Sequence, residues 1–344
     1  MKLISEETIA RAYYRVKPLM SRRLQIVLRR IVAKSKRYFF RSIWPIDPKA
    51  GATPPGFGGW PEGRRFSVVL THDVDTARGL TRCEDLMALE RELGFRSSFN
   101  FVAHDYDLPA ALRHKLVDEG FEVGVHGLEH NRKLYESPEV FAEQALKING
   151  YLKEWGAVGF RSPCVYHNFD WLHGLDILYE ASAFDTDPFE PQSDGLRTIF
   201  PVHQTKVPGR EYVVLPYTLP QDFTMFILFR EKNIRIWKEK LRWIAEHGGM
   251  ALLITHPDYM NFDENPGFEE YPSDFYRELL MHIKTEYEGQ YWHLLPHEMA
   301  TFWNESLGKT CTEAEDGAPP EGRQDGNGDD AKGDCSGAAL GETR

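Results

Sequence analysis

The stretch SVVLTHDVDTARG, residues 67–79, decides how this chain is read. It runs an apolar strand straight into two acids one residue apart, Asp73 and Asp75. Side chains alternate along a strand, so Thr71, Asp73 and Asp75 share one side while His72 and Val74 take the other. Two carboxylates this close resist joint ionisation unless positive charge lies between them or beside one of them. An ordinary strand-end turn capped by Asp would use the same residues, so the pattern needs company before it implies chemistry.

The company comes from other strand ends. From Arg65 onward, the short apolar runs RFSVVLTHD, RSSFNFVA, FEVGVHG, AVGFRSP, YVVLPYT, MALLITHP and YWHLLP alternate with helical patterns. Two of those patterns are SPEVFAEQALKINGYLKEW and IRIWKEKLRWIAEHGG, the latter stopping on Gly248 and Gly249. Such alternation over about 240 residues predicts an α/β fold with a mainly parallel sheet, open or closed into a barrel. In a barrel, the carboxyl ends of the strands form the active-site face.

Three more motifs fall at such ends. In GVHGLEHN, His126 and His130 stand four apart, a spacing that puts both imidazoles on one face of a helical turn. With Asp75 they would make a three-ligand site with room for water and substrate, which suits a divalent metal, zinc being the leading candidate. In GFRSPC, Arg161 is positioned to hold a carboxylate ionised and Pro163 fixes the turn. In ALLITHPDY, His256 ends the most apolar strand and can face the metal as a proton donor. Each motif is weak alone, since capped turns, surface His pairs and edge residues account for any one of them. Four strand ends presenting D-x-D, H-x-x-x-H, R-x-P and L-x-x-H-P in order form a specific signal.

Composition bounds the rest. With 344 residues and 42% hydrophobic content the chain can bury a large core, so disulfides are not needed to hold it. Cys83, Cys164, Cys311 and Cys335 show no paired or metal-type spacing. Residues 1–41 carry twelve Lys or Arg against Glu6 and Glu7, a net +10, which leaves −21 on the remainder. An acidic main body argues against nucleic acid as a partner.

Four segments are expected: a basic helical segment over 1–45, a Pro/Gly connection over 46–63, the α/β domain over 64–305, and a disordered acidic tail over 308–344. Within the first, a helix around Leu24, Leu28 and Ile31 is expected to pack its apolar stripe on the main domain and leave its basic face in solvent. The alternative is peripheral contact with an anionic membrane through residues 8–45. No run is apolar and long enough to be a transmembrane helix, and the N-terminus lacks a signal-peptide pattern, so a cytoplasmic location is expected, with any membrane contact at the inner face.

The ordered motifs resemble the polysaccharide deacetylase family, the NodB-homology domains of carbohydrate esterase family four. The likeness covers roughly residues 64–300. The family's T-F-D-D-G is similar to THDVD here, a variant with a spaced acid pair; its H-[ST]-x-x-H is matched by HGLEH, its R-x-P-Y by RSPC and its L-x-x-H by LITH. RSSFNFV and LVDEGFEVGVHG resemble the second strand and the approach to the histidine motif. Val74 stands where many members carry a metal-binding Asp, Gly127 replaces a Ser or Thr, and Cys164 replaces a Tyr.

The resemblance implies a distorted (β/α) barrel of seven or eight parallel strands and metal-dependent hydrolysis of an N-acetyl group on a glycan, releasing acetate. It implies Asp73 as catalytic base, Arg161 as its tether and His256 as general acid. Asp75, His126 and His130 match the metal ligands. The backbone N–H of Cys164, after Pro163, matches an oxyanion donor at the substrate, and Asp222 in YTLPQDFTMF is the candidate for the family's later aspartate, which tunes the general acid.

Another carbon–nitrogen amidohydrolase, acting on a small amide or a peptidoglycan-like precursor, fits the same residues, because substrate choice resides in loops. A D-x-D glycosyltransferase would leave His126, His130 and His256 unexplained. A non-catalytic glycan-binding protein would be expected to have lost a motif residue, and none is missing.

Overall fold

The computed structural model describes residues 21–315; the start of the basic segment and residues 316–344 of the acidic one lie outside the described residues. Its organising element is β1 (Phe66–Val74), nine residues buried along their whole length. An unbroken apolar run of this kind belongs at the centre of a parallel sheet covered on both faces. The chain continues through β2 (Ser98–Phe101), β3 (Glu122–Val125), β4 (Gly159–Phe160), β5 (Tyr179–Glu180), β6 (Val202–Gln204), β7 (Tyr212–Val214) and β8 (Met250–Thr255). A small separate pair follows, β9 (Met260–Asn261) and β10 (Tyr271–Pro272), and then β11 (Tyr291–His293).

Ser67 and Val68 pair with both β11 and β8, whereas Thr71 and His72 pair with both β2 and β8. One edge of β1 therefore serves β8, and the other is shared by β11 at its start and β2 at its end. From β2 the parallel order runs through β3, β4 and β5 to β7, with β6 antiparallel on the outside of β7. Past the end of β7, Leu219 bridges Leu253 of β8, and the Thr218 and Leu219 N–H groups both donate to the Leu252 carbonyl. That contact brings the curled sheet back to β1 as a distorted (β/α) barrel of parallel strands.

The helices cover its outer face: α1 (Arg22–Phe39), α2 (Cys83–Leu93), α3 (Ala110–Asp118), α4 (Pro138–Trp155), α5 (Arg235–His247), α6 (Asp274–Glu286) and α7 (Pro296–Glu315). Local chemistry sets their ends. Ser137 accepts the Val140 N–H at the start of α4, Pro138 fills its first turn, and Gly156 ends it in the left-handed conformation.

The alternation read from β1 holds on both faces. His72 points outward and is fully buried; its Nε2 lies 2.9 Å from Glu90 Oε1 of α2 and its Nδ1 2.7 Å from Thr255 Oγ1. Ser97 donates to the other Glu90 oxygen at 2.6 Å, and Tyr276 of α6 also donates to Glu90. Burial would push the Glu90 carboxyl up, but the charge of His72 and these hydrogen bonds outweigh it and hold the group below its usual range. Two helices are thereby pinned to the central strand by one satisfied buried network.

Three expectations change. Leu24, Leu28 and Ile31 do not pack on the domain: they are 47%, 37% and 61% exposed, and α1 instead meets the barrel through Ile26, Ala33 and its cations. The tail expected to be disordered from 308 continues α7 to Glu315 before leaving the described residues. The strands β5 and β6 were not expected, because two or three residues carry no readable period.

Trp237 of α5 is fully buried, and its Nε1–H donates to the Pro220 carbonyl at 2.6 Å. Trp237→Ala should cost about 3–5 kcal/mol in urea unfolding, whereas Leu146→Ala on the exposed face of α4 should stay within about 0.5 kcal/mol. Equal losses at the two positions would contradict this packing.

Candidate active site

Four strand ends deliver the site. β1 ends in Asp73 and Asp75, β3 is followed by His126 and His130, β4 by Arg161, and β8 by His256. Asp73 faces the barrel interior, where Asn100 Nδ2 donates to its Oδ1 at 2.9 Å and Arg161 Nη1 lies 3.8 Å from its Oδ2. Arg161 is itself fully buried, with Nη2 donating to Thr71 Oγ1 at 3.0 Å. Burial would raise the Asp73 carboxyl, yet the charges of Arg161, His126 and His256 and the Asn100 hydrogen bond bring it below its ordinary value. The group is held as a carboxylate in a dry place.

Asp75 Oδ1 has His126 Nε2 at 3.5 Å and His130 Nε2 at 3.3 Å, and the donor atoms of all three residues lie within 4.8 Å of one another. Ligands held tetrahedrally at about 2.0–2.1 Å from an ion stand about 3.3–3.4 Å apart, so these separations fit a shared cation. Asp75 Oδ1 is buried and receives no hydrogen bond, the condition expected of an oxygen reserved for a metal.

The surroundings are consistent with that use. His126 Nδ1 lies 2.9 Å from the Arg161 carbonyl, which can only accept, so Nδ1 carries the proton and Nε2 is left toward Asp75. Asp105 Oδ2 accepts the backbone N–H of His130 at 2.7 Å, fixing the loop rather than the ring. Burial would lower His126, but Asp73 and Asp75 raise it overall; the same negative potential favours a cation. In His130, burial together with the charges of His126 and His256 outweighs Asp75 and lowers the imidazole, keeping it neutral as a ligand must be.

Asp222 lies behind His256 and is fully buried. Its Oδ1 takes His256 Nδ1 at 2.7 Å and the Phe223 N–H at 2.7 Å; its Oδ2 takes the His256 N–H at 2.8 Å and the Tyr271 hydroxyl at 3.0 Å. Four donors saturate the carboxylate, leaving neither of its oxygens for the cleft. Phe223–Leu228 follows as a single π-helical turn. Burial would lower His256, but Asp222, with Asp75 and Asp73, raises it to about 10. The imidazole is therefore protonated at neutral pH, with Nδ1 committed to Asp222 and Nε2 left for the cleft.

The turn after β4 brings Pro163 against the histidine loop. Gly127 has φ +74°, and a Cβ there would lie 2.5 Å from Pro163 Cγ, so this position has to be glycine here. Cys164 has φ 56°, a left-handed residue within that turn. Of the ionisable groups, Asp73, Asp75, His126 and His256 are each at most 8% exposed, while the His130 side chain reaches 28%. His130 is thus the most exposed of the five, and the other four are almost wholly buried.

Sequence reasoning missed the supporting residues. Asp258 accepts the Asp75 N–H at 2.9 Å and the Thr76 hydroxyl at 2.5 Å, fixing the loop that carries a ligand. Asn100 and Tyr271 likewise orient Asp73 and Asp222. Asn100 sat in plain view in RSSFNFV; nothing in the sequence marks Asp258 or Tyr271, whose partners lie 183 and 49 residues away.

Changing groups outside a metal's ligand set typically weakens binding about 10–100-fold, so removing a ligand should cost more than about a hundredfold. Zinc titration of His126→Ala and Asp75→Asn, followed calorimetrically, should show that loss. Binding as tight as wild type in both variants would exclude this cradle.

No protein-family model matches the chain, and no curated protein matches it. Solved structures do. A protein designated a polysaccharide deacetylase from Mycobacterium smegmatis is 17% identical, with 80% of this chain and 99% of that one covered at a TM-score of 0.53. A probable polysaccharide deacetylase from Pseudomonas aeruginosa PAO1 is 14% identical, with 76% and 98% covered at 0.57. Puue allantoinase is also 14% identical, with 76% and 98% covered at 0.56. The fold of this chain is thus the curled parallel barrel found in these deacetylases and this allantoinase.

Proposed function

We propose that the chain hydrolyses a carbon–nitrogen amide bond, removing the N-acetyl group of a sugar in a glycan and releasing acetate. One observation carries the reading: a single cleft holds a carboxylate kept ionised by Arg161 and an imidazole kept protonated by Asp222, with the Asp75–His126–His130 cradle alongside. Opposite proton states of two neighbouring groups are what a base and an acid require.

Asp75, His126 and His130 would hold one divalent cation, and two nitrogens with one oxygen favour zinc. Such an ion, when bound, polarises a carbonyl and acidifies water. Asp73 accepts the proton of the attacking water, and Arg161 holds it in position and ionised at rest. The Cys164 N–H is the candidate donor to the developing oxyanion. His256 gives its Nε2 proton to the departing nitrogen, which would otherwise leave as an unstable amide anion. Asp222 accepts the Nδ1–H, orients the ring and stabilises the imidazolium.

The burial of Asp73, Asp75, His126 and His256 favours a terminal or projecting acyl group over a bond deep within a packed chain. It also supports a second reading, a small-amide hydrolase of the same mechanism, which the substrate panel below separates from the first.

Acetate release from N-acetylhexosamine glycans should be abolished by chelator and restored by zinc. Asp73→Asn and His256→Ala should each lower kcat about 10²–10⁴-fold. Chelator-resistant turnover, or full activity in Asp73→Asn, would overturn the mechanism. A panel that yields acetate from none of the glycans but hydrolyses small amides would favour the second reading.

The acid must be protonated, so the rate falls as pH rises through the His256 value. Asp222→Asn removes the charge that raises it, and the basic limb of the kcat profile should move to lower pH. An unmoved limb would show that His256 is not the titrating acid.

A further inference from the structure

Helix α1 is seated on the barrel by the wrong face for an ordinary amphipathic helix. Its cations do the packing: Arg30 Nε donates to the Ile227 carbonyl at 2.7 Å, Arg37 pairs with Glu231 at 2.6 Å, and Lys36 Nζ donates to the Pro188 carbonyl at 3.2 Å. The Arg29 and Arg37 guanidinium groups lie 4.6 and 4.7 Å above the rings of Phe223 and Phe229. Leu24, Leu28, Ile31 and Val32 recur at three- and four-residue steps, Tyr38 and Phe39 follow seven residues beyond Ile31 and Val32, and the resulting face points to solvent. Ile31 is 61% and Phe39 74% exposed. A patch of this kind on a folded protein marks an interaction surface.

We propose that this outward face of α1 docks on an anionic lipid surface. Charge complementarity selects that occupant. The exposed cations Arg23, Lys34 and Arg41 rim the apolar face, and residues 1–20 add a further net +2 at its start. Apolar residues within a basic rim suit a helix lying in a headgroup layer, with the cationic side chains reaching the phosphates. A second copy docked on the same face would instead bring two such basic rims together. No described helix is long and apolar enough to cross a membrane, so the helix would lie on the surface.

The opposite side of the helix is continuous with the shell of the site. Arg29 covers Phe223, the residue after Asp222, and the Tyr259 ring lies 5.0 Å from that of Phe223 and 5.2 Å from that of His256. The seated side of α1 thus reaches the aromatic shell of His256, while its apolar face points away from the barrel. The docking itself stands independently of the hydrolase reading.

Sedimentation of the full chain with vesicles of phosphatidylcholine, with and without phosphatidylglycerol, tests it. Wild type should partition onto the phosphatidylglycerol vesicles, less so at high salt. Ile31→Glu should lower partitioning about tenfold or more while leaving the thermal unfolding curve unchanged, because Ile31 makes little contact with the fold. Leu146→Glu, on the exposed face of α4, should bind as wild type does. The proposal falls if wild type stays in the supernatant or if Ile31→Glu binds undiminished. It also falls if sedimentation velocity finds a dimer that Ile31→Glu dissociates, since the face would then belong to a second copy.

Discussion

Asp73 and Asp75 leave β1 two residues apart and almost out of water, where two like charges are costly unless positive charge is supplied from elsewhere. Nearly every feature of the barrel mouth supplies it. Arg161 comes from the end of β4, His126 from the end of β3 and His256 from the end of β8, each from a different strand. An arginine with no exposure and two nitrogens lacking hydrogen-bond partners, Nε and Nη1, would be hard to justify in a structural core. Beside Asp73 it has a purpose, because its charge fixes the ionisation of that carboxylate while leaving its oxygen available. Asp75 is compensated differently, by two imidazoles that approach without hydrogen-bonding to it, and this distinguishes a cation cradle from an ion-pair network.

The opposite face of the same strand is satisfied internally. His72 points away from the mouth and closes a network with Glu90, Ser97, Thr255 and Tyr276 in which both Glu90 oxygens are used. One strand therefore separates two kinds of buried charge: a closed set that locks α2 and α6 to the sheet, and an incomplete set at the mouth. That difference, more than burial as such, separates structural from chemical groups here.

Much of this was legible from the residues because its signals are local. Each of the seven apolar runs contains a strand, and the alternation THDVD places Asp73 and Asp75 inside and His72 outside. What stayed hidden depends on distance along the chain or on which surface a helix meets. Asp222 was reached only through the resemblance, since its meaning comes from His256, 34 residues later, and from a π-helical turn beside it. The stripe on α1 was plain, but its direction was not: an amphipathic helix is expected to bury its apolar face, and here arginines over aromatic rings and carbonyls outcompete that preference. The strands β5 and β6 are too short for a period to show. Helical residues 308–315 lie in a composition too polar to suggest packing.

The account stands on Asp75, His126 and His130 sharing one divalent ion. X-ray absorption at the zinc edge of the zinc-loaded protein examines that directly. It should give two imidazole nitrogens and at least one oxygen at about 2.0–2.1 Å, with no sulfur. A shell containing sulfur, a shell without imidazole, or failure to retain zinc would contradict it.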